Sequence, residues 1–220
     1  MTSSTAPPFT GDFEAHLTVR SGTSAGSSVL ERHAAAHGLK FTHIVLERGR
    51  TPSQPMLTLR RSGALPAVRE AVARTERALR NAGFDIVRTK IEAAPWADGV
   101  PETDGEAVAL GARHYFEHHV KLLLAPGTDT APLAALAVAH TAHLSYNARR
   151  VRADGRAERF VTQRCRLVGR CTAGERLEAL AASLRAVGHE IVSVEREFVV
   201  HDSNESLDAG WIAEEEGTDA

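Results

Sequence analysis

Ionisable residues recur at matching positions in the two halves of this chain. The motif FEAH at 13–16 returns as FEHH at 116–119, and TLR at 58–60 returns as TQR at 162–164. Each copy follows its counterpart by roughly one hundred residues. Such a repeat predicts a pseudo-two-fold molecule, whose ligand we expect between the halves. The other matches are GFDIV at 83–87 with GHEIV at 188–192, His43 with His143, and Glu92 with Glu197.

The first hypothesis for these residues is a site for a small anionic or phosphate-containing ligand, which the protein binds and, in the enzyme version, hydrolyses. Arginine holds phosphate or carboxylate with paired hydrogen bonds, and histidine serves as a general acid or base near neutral pH. The expected catalytic residues are His16, His119 and His143. The expected ligand-binding residues are His43, Thr58, Arg60, Arg88, Lys90, Thr162 and Arg164.

Two tripeptides, HLT at 16–18 and HLS at 143–145, share the pattern H-x-[ST]. This pattern is similar to the paired motifs of the two-histidine phosphoesterases, whose halves each give one histidine and one hydroxyl to the phosphate. The resemblance covers these tripeptides alone. It implies that His16 pairs with His143, whereas the internal repeat matches His16 with His119.

The second hypothesis is a divalent-metal enzyme. His16, Glu92, His119 and Glu197 fall on the first and last predicted strands of each half. Two imidazoles and two carboxylates suit a divalent ion with open positions. This placement resembles the vicinal oxygen chelate proteins, although their module is βαβββ and 65–82 predicts a helix instead. A divalent metal is the one cofactor that the sequence suggests.

The third hypothesis is a protein that catalyses no reaction. It stays open because one fold can serve many functions. The chain would then be a scaffold that binds a small molecule or a protein partner. A simpler interpretation also stays open, in which the ionisable residues form the solvated side of an open sheet.

Hydrophobic periodicity places these residues on a framework of strands and helices. Each half reads βαββαβ, the order of the ferredoxin-like unit. The predicted fold class is therefore α+β, with two tandem ferredoxin-like units packed as a pseudo-dimer, either as a sandwich or as a barrel. The predicted strands are 13–19, 40–47, 56–61, 85–92, 115–124, 142–150, 158–166 and 190–199, and the predicted helices are 28–37, 65–82, 130–140 and 174–187.

Strand alternation predicts a sheet face without helices that is unusually polar. Buried charges need partners or a ligand, because desolvating them alone costs several kcal/mol. The side chains expected on this face are Glu14, His16, Thr18, His43, Glu47, Thr58, Arg60, Arg88, Lys90 and Glu92 in the first half, and Glu117, His119, Lys121, His143, Ser145, Asn147, Arg149, Thr162, Arg164, Ser193, Glu195 and Glu197 in the second.

Composition divides the chain into two repeats, 13–92 and 113–200, joined by a linker rich in proline, glycine and acidic residues at 93–112. Residues 1–12 are expected to be a loose tail, and 201–220 a C-terminal loop and acidic tail. Within 199–212, which has no counterpart in the first half, two interpretations compete. One is a structured loop whose tryptophan packs against the rest of the protein. The other is a lid that brings Asp202, Asn204 and Asp208 to the site.

Bulk properties exclude several classes of protein. The net charge of −2 argues against a general nucleic-acid binder. The chain has no apolar run of about 18 residues, so we expect no membrane span. Without an export signal in the sequence, we expect a cytoplasmic location and two free thiols, Cys165 and Cys171. The oligomeric state is left open.

Overall fold

The computed structural model of the chain describes residues 9–20, 24–150 and 152–211. These residues form an α+β structure in which eight antiparallel strands share one sheet, with five α-helices and a 3₁₀ helix. The strands are β1 (Thr10–Val19), β2 (Lys40–Leu46), β3 (Ser53–Ala64), β4 (Ile86–Ala93), β5 (Tyr115–Leu124), β6 (Ala142–Asn147), β7 (Ala157–Arg166) and β8 (Glu190–Asp202). The helices are α1 (Ser24–Ala36), α2 (Leu65–Asn81), α3 (Asp104–Leu110), α4 (Ala131–Ala139), α5 (Arg170–Ala186) and the 3₁₀ helix Glu205–Asp208.

The sheet closes on itself as a barrel in the order β1-β3-β2-β6-β7-β5-β8-β4. The first half contributes the neighbours β4-β1-β3-β2, and the second half contributes β8-β5-β7-β6 in the corresponding order. The halves meet at two seams, β2 with β6 and β4 with β8. An eight-stranded barrel has an interior about wide enough for its own side chains or one small ligand.

The hydrophobic core lies outside the barrel wall, beneath the helices. Along β1, Phe13, Ala15 and Leu17 are buried in one apolar cluster together with Val68 and Val72 of α2. A second cluster lies under α4 and α5 in the other half. Because side chains alternate along a strand, this arrangement directs the intervening polar residues into the barrel.

Several element boundaries differ from the sequence expectations. β1 begins at Thr10, inside the stretch 1–12 expected to be a tail, because Thr10 pairs with Asp98 through two backbone hydrogen bonds. The expected linker contains α3, which begins with a capping box between Thr103 and Glu106. The acidic residues after Trp211, like residues 1–8 of the expected tail, lie outside the described residues. Within the described ranges, no helix is long and apolar enough to cross a membrane.

Candidate functional site

The polar faces of the strands enclose a cavity of about 210 Å³ inside the barrel. Its wall carries ionisable side chains from both halves of the chain. The charged and histidine side chains that line it are Glu14, His16, Lys40, Arg88, Lys90, Glu92, Glu117, His119, Lys121, Arg150, Arg164, Glu195, Glu197 and Asp208.

The two ends of the cavity differ. Because neighbouring strands are antiparallel, β8 ends at the same end of the barrel at which β4 begins. The C-terminal segment 203–211 covers that end and places Asp208 and Trp211 on the cavity wall. The opposite end, where β2 begins and β5 and β6 terminate, carries Lys40, Lys121 and Arg150. Lys40 and Arg150 are exposed, so this end reaches solvent.

The two histidines matched by the repeat have matching environments. In His16, Nδ1 lies 2.8 Å from Oγ1 of Thr58, and in His119, Nδ1 lies 2.9 Å from Oγ1 of Thr162. The other ring nitrogen of each histidine faces carboxylates. His16 Nε2 lies 2.8 Å from Glu92 Oε2, and His119 Nε2 lies 3.4 Å from Glu197 Oε2.

Carboxylates and one lysine surround the histidine pair. Lys90 Nζ lies 2.7 Å from an oxygen of Glu92 and 2.7 Å from an oxygen of Glu117. Burial alone would raise the pKa of Glu92, but Lys90 and His16 lower that pKa to about 2. Burial and repulsion by Glu92 raise the pKa of Glu197. Burial lowers the pKa of His119, and hydrogen bonding to Glu117 and Glu197 outweighs it and raises the pKa to about 10.

Glu92 is buried without a well-aligned hydrogen bond. Its side chain is 1% exposed, and neither carboxylate oxygen accepts a hydrogen bond of acceptable angle from the described residues. Lys90 Nζ and His16 Nε2 nevertheless lie 2.7 and 2.8 Å from its oxygens, without the alignment of a hydrogen bond. Two overlapping sets of side chains offer ligand atoms within 4.8 Å of one another, and each could hold a metal. The sets are Glu92 with His119 and Glu197, and Glu14 with His16 and Glu197.

Two arginines at the covered end of the cavity are already paired. Arg88 forms ion pairs with Asp202 at 2.5 Å and with Asp208 at 2.9 Å. Arg164 contacts Asp208 at 2.6 Å and Glu117 at 2.5 Å. Asp208 also accepts a hydrogen bond from the Gln54 amide at 3.0 Å. The C-terminal segment thus supplies the anion that both guanidinium groups hold.

Nine of the residues expected in the site line this one cavity. They are His16, Thr58, Arg88, Lys90, Glu92, His119, Thr162, Arg164 and Glu197. Arg60 does not, because its side chain is 75% exposed and pairs with Glu14 at 2.6 Å near the barrel rim. The repeat in the sequence therefore matched two arginines whose environments are opposite.

His43 and His143 also lie off the cavity wall. Strand register explains this for His43 only, since Lys40 takes the position opposite Thr58. His143 is opposite the cavity residue Thr162 and so shares its sheet face, but it lies beside Trp211 and not on the cavity wall. The structural counterpart of His143 is thus Lys40, and the alternation of β2 directs Lys40, Thr42, Ile44 and Leu46 inward. His43, expected on the inner face, instead contacts Ser53 at 2.8 Å.

His143 lies behind Trp211 at the covered end. Its Nδ1 is 3.1 Å from an amino group of Arg48, and its ring packs against the Trp211 ring at 5.9 Å. Burial, with repulsion by Arg48 and Arg164, lowers the pKa of His143 to about 4. His16 and His143, the pair implied by the phosphoesterase resemblance, therefore do not share a wall of the cavity.

Some cavity residues were absent from the expected site. Glu14 and Glu117 were expected on the polar face but not as site residues, and Lys40 is placed inward only by the register of β2. Asp208 and Trp211 had a weaker signal, namely an acidic and aromatic segment with no counterpart in the first half. No protein-family model matches the chain, and none of the curated proteins compared with it matches either.

Proposed function

We propose that the barrel cavity binds a small anionic ligand, and that a phosphate-containing compound is its favoured class. The observation that carries the proposal is a cluster of three cations, Lys40, Lys121 and Arg150, at the solvent-reaching end. Lys121 and Arg150 both pair with a single carboxylate, Glu158, at 3.6 and 3.1 Å. Lys40 takes part in no ion pair with any residue that the structure describes.

This end of the cavity would attract an anion through Lys40, Lys121 and Arg150. A charge-assisted hydrogen bond to phosphate contributes more than a neutral one, about 1.5–3 kcal/mol. The volume of about 210 Å³ lies below the roughly 300–1,000 Å³ of pockets for drug-sized ligands. The cavity therefore suits a ligand no larger than a short phosphate ester.

Hydrolysis is an extension of the binding proposal. His16 and His119 line the same cavity as Lys40 and Lys121 and hold ring nitrogens toward its interior. In a phosphate ester bound there, either imidazole would act as the general acid or base. Turnover would make the protein an enzyme, and binding without turnover would make it a ligand-binding module.

The symmetry of the site supports an origin by duplication. We infer two tandem ferredoxin-like units, because the orders β4-β1-β3-β2 and β8-β5-β7-β6 correspond strand by strand. The His16–Thr58 and His119–Thr162 contacts repeat in the same way. Under this interpretation, the two sheets joined along their edge strands, and their open faces enclosed the polar residues.

The binding proposal is tested by calorimetric titration with pyrophosphate and with a small phosphate monoester, in the presence of a chelator. Lys40→Ala is the informative variant because it breaks no ion pair among the described residues. We expect this variant to weaken binding by about 10- to 100-fold, the scale of one hydrogen bond to a charged group. Arg74→Ala is the matched control, since Arg74 is an exposed cation on α2 outside the cavity.

Equal affinity in wild type and Lys40→Ala, with Arg74→Ala unchanged, would contradict the proposed anion site. Failure of the wild-type protein to bind any of these anions at millimolar concentration would favour the scaffold hypothesis instead.

A further inference from the structure

We propose that the centre of the barrel is a binding site for a divalent transition-metal ion, with His16, Glu92, His119 and Glu197 as its ligands. The site lies where β4 and β8 meet, so that each half of the chain contributes one histidine and one glutamate. The inference does not depend on the proposed anionic ligand. Metal alone is therefore a sufficient probe.

The distances between side chains already approach those of a coordination sphere. Bonds from zinc to nitrogen or oxygen measure about 2.0–2.2 Å, so the ligand atoms of a tetrahedral site lie about 3.3–3.6 Å apart. His16 Nε2 and Glu92 Oε2 are 2.8 Å apart, and His119 Nε2 and Glu197 Oε2 are 3.4 Å apart. One atom each from Glu92, His119 and Glu197 lies within 4.8 Å of the others. His16 belongs to the second such set, with Glu14 and Glu197, so Glu197 is common to both sets.

Both histidines are held in the orientation that a metal requires. Metal-bound histidines commonly donate the second ring N–H to a neighbouring acceptor, which fixes the tautomer and the ring. Thr58 and Thr162 stand at 2.8 and 2.9 Å from the Nδ1 atoms of His16 and His119. With Nδ1 as the donor, each Nε2 would lose its proton on metal binding and direct its lone pair to the ion between the carboxylates.

Few cations are available to Glu92 and Glu197 at this point. Glu92 is 1% exposed and has no aligned hydrogen bond, and it shares Lys90 with Glu117. Glu197 has no lysine or arginine partner among the residues that the structure describes. A buried carboxylate without an aligned hydrogen bond is costly. A divalent ion between Glu92 and Glu197 would supply the missing positive charge.

The ligand chemistry selects the class of metal. Imidazole nitrogen suits zinc, iron, copper and nickel, and carboxylate suits manganese, whereas calcium and magnesium prefer oxygen ligands only. Two imidazoles with two carboxylates therefore favour Mn²⁺, Fe²⁺, Co²⁺ or Zn²⁺ over Mg²⁺ and Ca²⁺.

The test is a titration of the metal-free full chain with Co²⁺ and Mn²⁺ in phosphate-free buffer at about pH 8, where metal ions compete better with protons for histidine. We expect one equivalent of Co²⁺ to bind and to produce visible d–d absorption. Electron paramagnetic resonance of the Mn²⁺ complex should show couplings to imidazole nitrogen. These two measurements on wild type require no variant that might misfold.

Variants locate the ion. Glu92→Gln should weaken Co²⁺ binding by at least 10-fold. Glu195→Gln should leave it unchanged, because Glu195 lines the same cavity but belongs to neither candidate ligand set. Thr58→Val should weaken binding by about 10- to 100-fold, as loss of an orienting partner does in known metal sites. His43→Gln is the control histidine, since it contacts Ser53 off the cavity wall.

Two results would overturn the metal site. The first is wild-type protein that binds neither Co²⁺ nor Mn²⁺ at millimolar concentration. The second is binding that lacks nitrogen coupling or is unchanged in a folded Glu92→Gln variant. Neither result bears on the anion site, because that titration is carried out with a chelator present.

Discussion

Arg164 and Asp208 form an ion pair of 2.6 Å inside the barrel, although one belongs to a central strand and the other to the C-terminal segment. Both side chains are less than one-tenth exposed. Asp208 also pairs with Arg88, so a single carboxylate links two strands from different halves to the segment that covers the barrel end. The segment 203–211 is therefore fixed by buried charge as well as by the packing of Trp211.

The matched arginines are predicted to differ sharply in their effect on stability. Arg164→Ala leaves Glu117 and Asp208 with one cation fewer in a buried network, and loss of one partner of a buried pair costs about 3–5 kcal/mol. Arg60→Ala removes an exposed ion pair, which contributes about 0–1 kcal/mol. Urea denaturation of the two variants measures both losses. Similar losses in the two variants would contradict the assignment of opposite environments.

Coupling between Arg164 and Asp208 is predicted to be strong. In a double-mutant cycle with Arg164→Ala and Asp208→Ala, each single change leaves a buried charge without its partner. The double change partly removes that unpaired charge. The double variant should therefore be more stable than the sum of the single losses implies, by about 1–3 kcal/mol. Arg74→Ala combined with Asp208→Ala is the additive control, because Arg74 lies on the outer face of α2. Additivity in the first cycle would mean that the pair does not form.

Acid is predicted to destabilise the fold partly through His143. Its pKa is about 4 in the folded chain because burial and the nearby Arg48 and Arg164 disfavour the charged form. In the unfolded chain its pKa returns to about 6.5. Between these values the unfolded state binds a proton that the folded state does not, so stability falls as the pH falls from about 6.5 to 4.

The measurement is the free energy of unfolding of wild type and His143→Gln at several pH values between 7 and 4. As the pH falls, the variant should become more stable relative to wild type. This relative gain in the free energy of unfolding should level off below pH 4. His189→Gln is the control, since His189 is partly exposed and follows α5. A stability difference that is constant with pH would contradict the prediction.

Two glycines of the α5 region are predicted to respond in opposite directions to alanine. A methyl group on Gly169 would overlap the backbone of Glu102 and Thr103, so Gly169→Ala should cost about 1–3 kcal/mol. Gly174 lies within α5 with open space around it, so Gly174→Ala should add about 0.5–1 kcal/mol. Thermal melts of both variants test this. An unchanged or higher melting temperature for Gly169→Ala would show that α5 can move away from the α3 region.

The same glycine explains a difference between the expected and observed helix. The sequence predicts a helix at 174–187, whereas α5 begins at Arg170 with Gly169 as its N-cap residue. The N–H of Gly169 donates to Asp104 at 2.8 Å. This contact joins residues 65 positions apart, so no local pattern could indicate it.

Local periodicity predicted most of the framework. Alternation along β1, β3, β4, β5, β7 and β8 predicted which side chains face inward, because adjacent residues of a strand necessarily point to opposite faces. The repeated motifs around His16 and His119 predicted two equivalent strands, and the TLR and TQR motifs placed Thr58 and Thr162 on the same polar face. Those side chains do line one cavity.

The pairing between strands was decided by the tertiary structure. A shift of one residue reverses every side chain of a strand, and the short matched pattern around His43 and His143 did not fix the register of β2. Arg60 and Arg164 share a sequence motif. Their different positions along the barrel axis place Arg60 at the rim and Arg164 in the interior. Closure of the barrel, and the insertion of Asp208 between Arg88 and Arg164, join residues more than 40 positions apart. Such contacts depend on the packing of the whole chain, so the sequence around each residue does not indicate them.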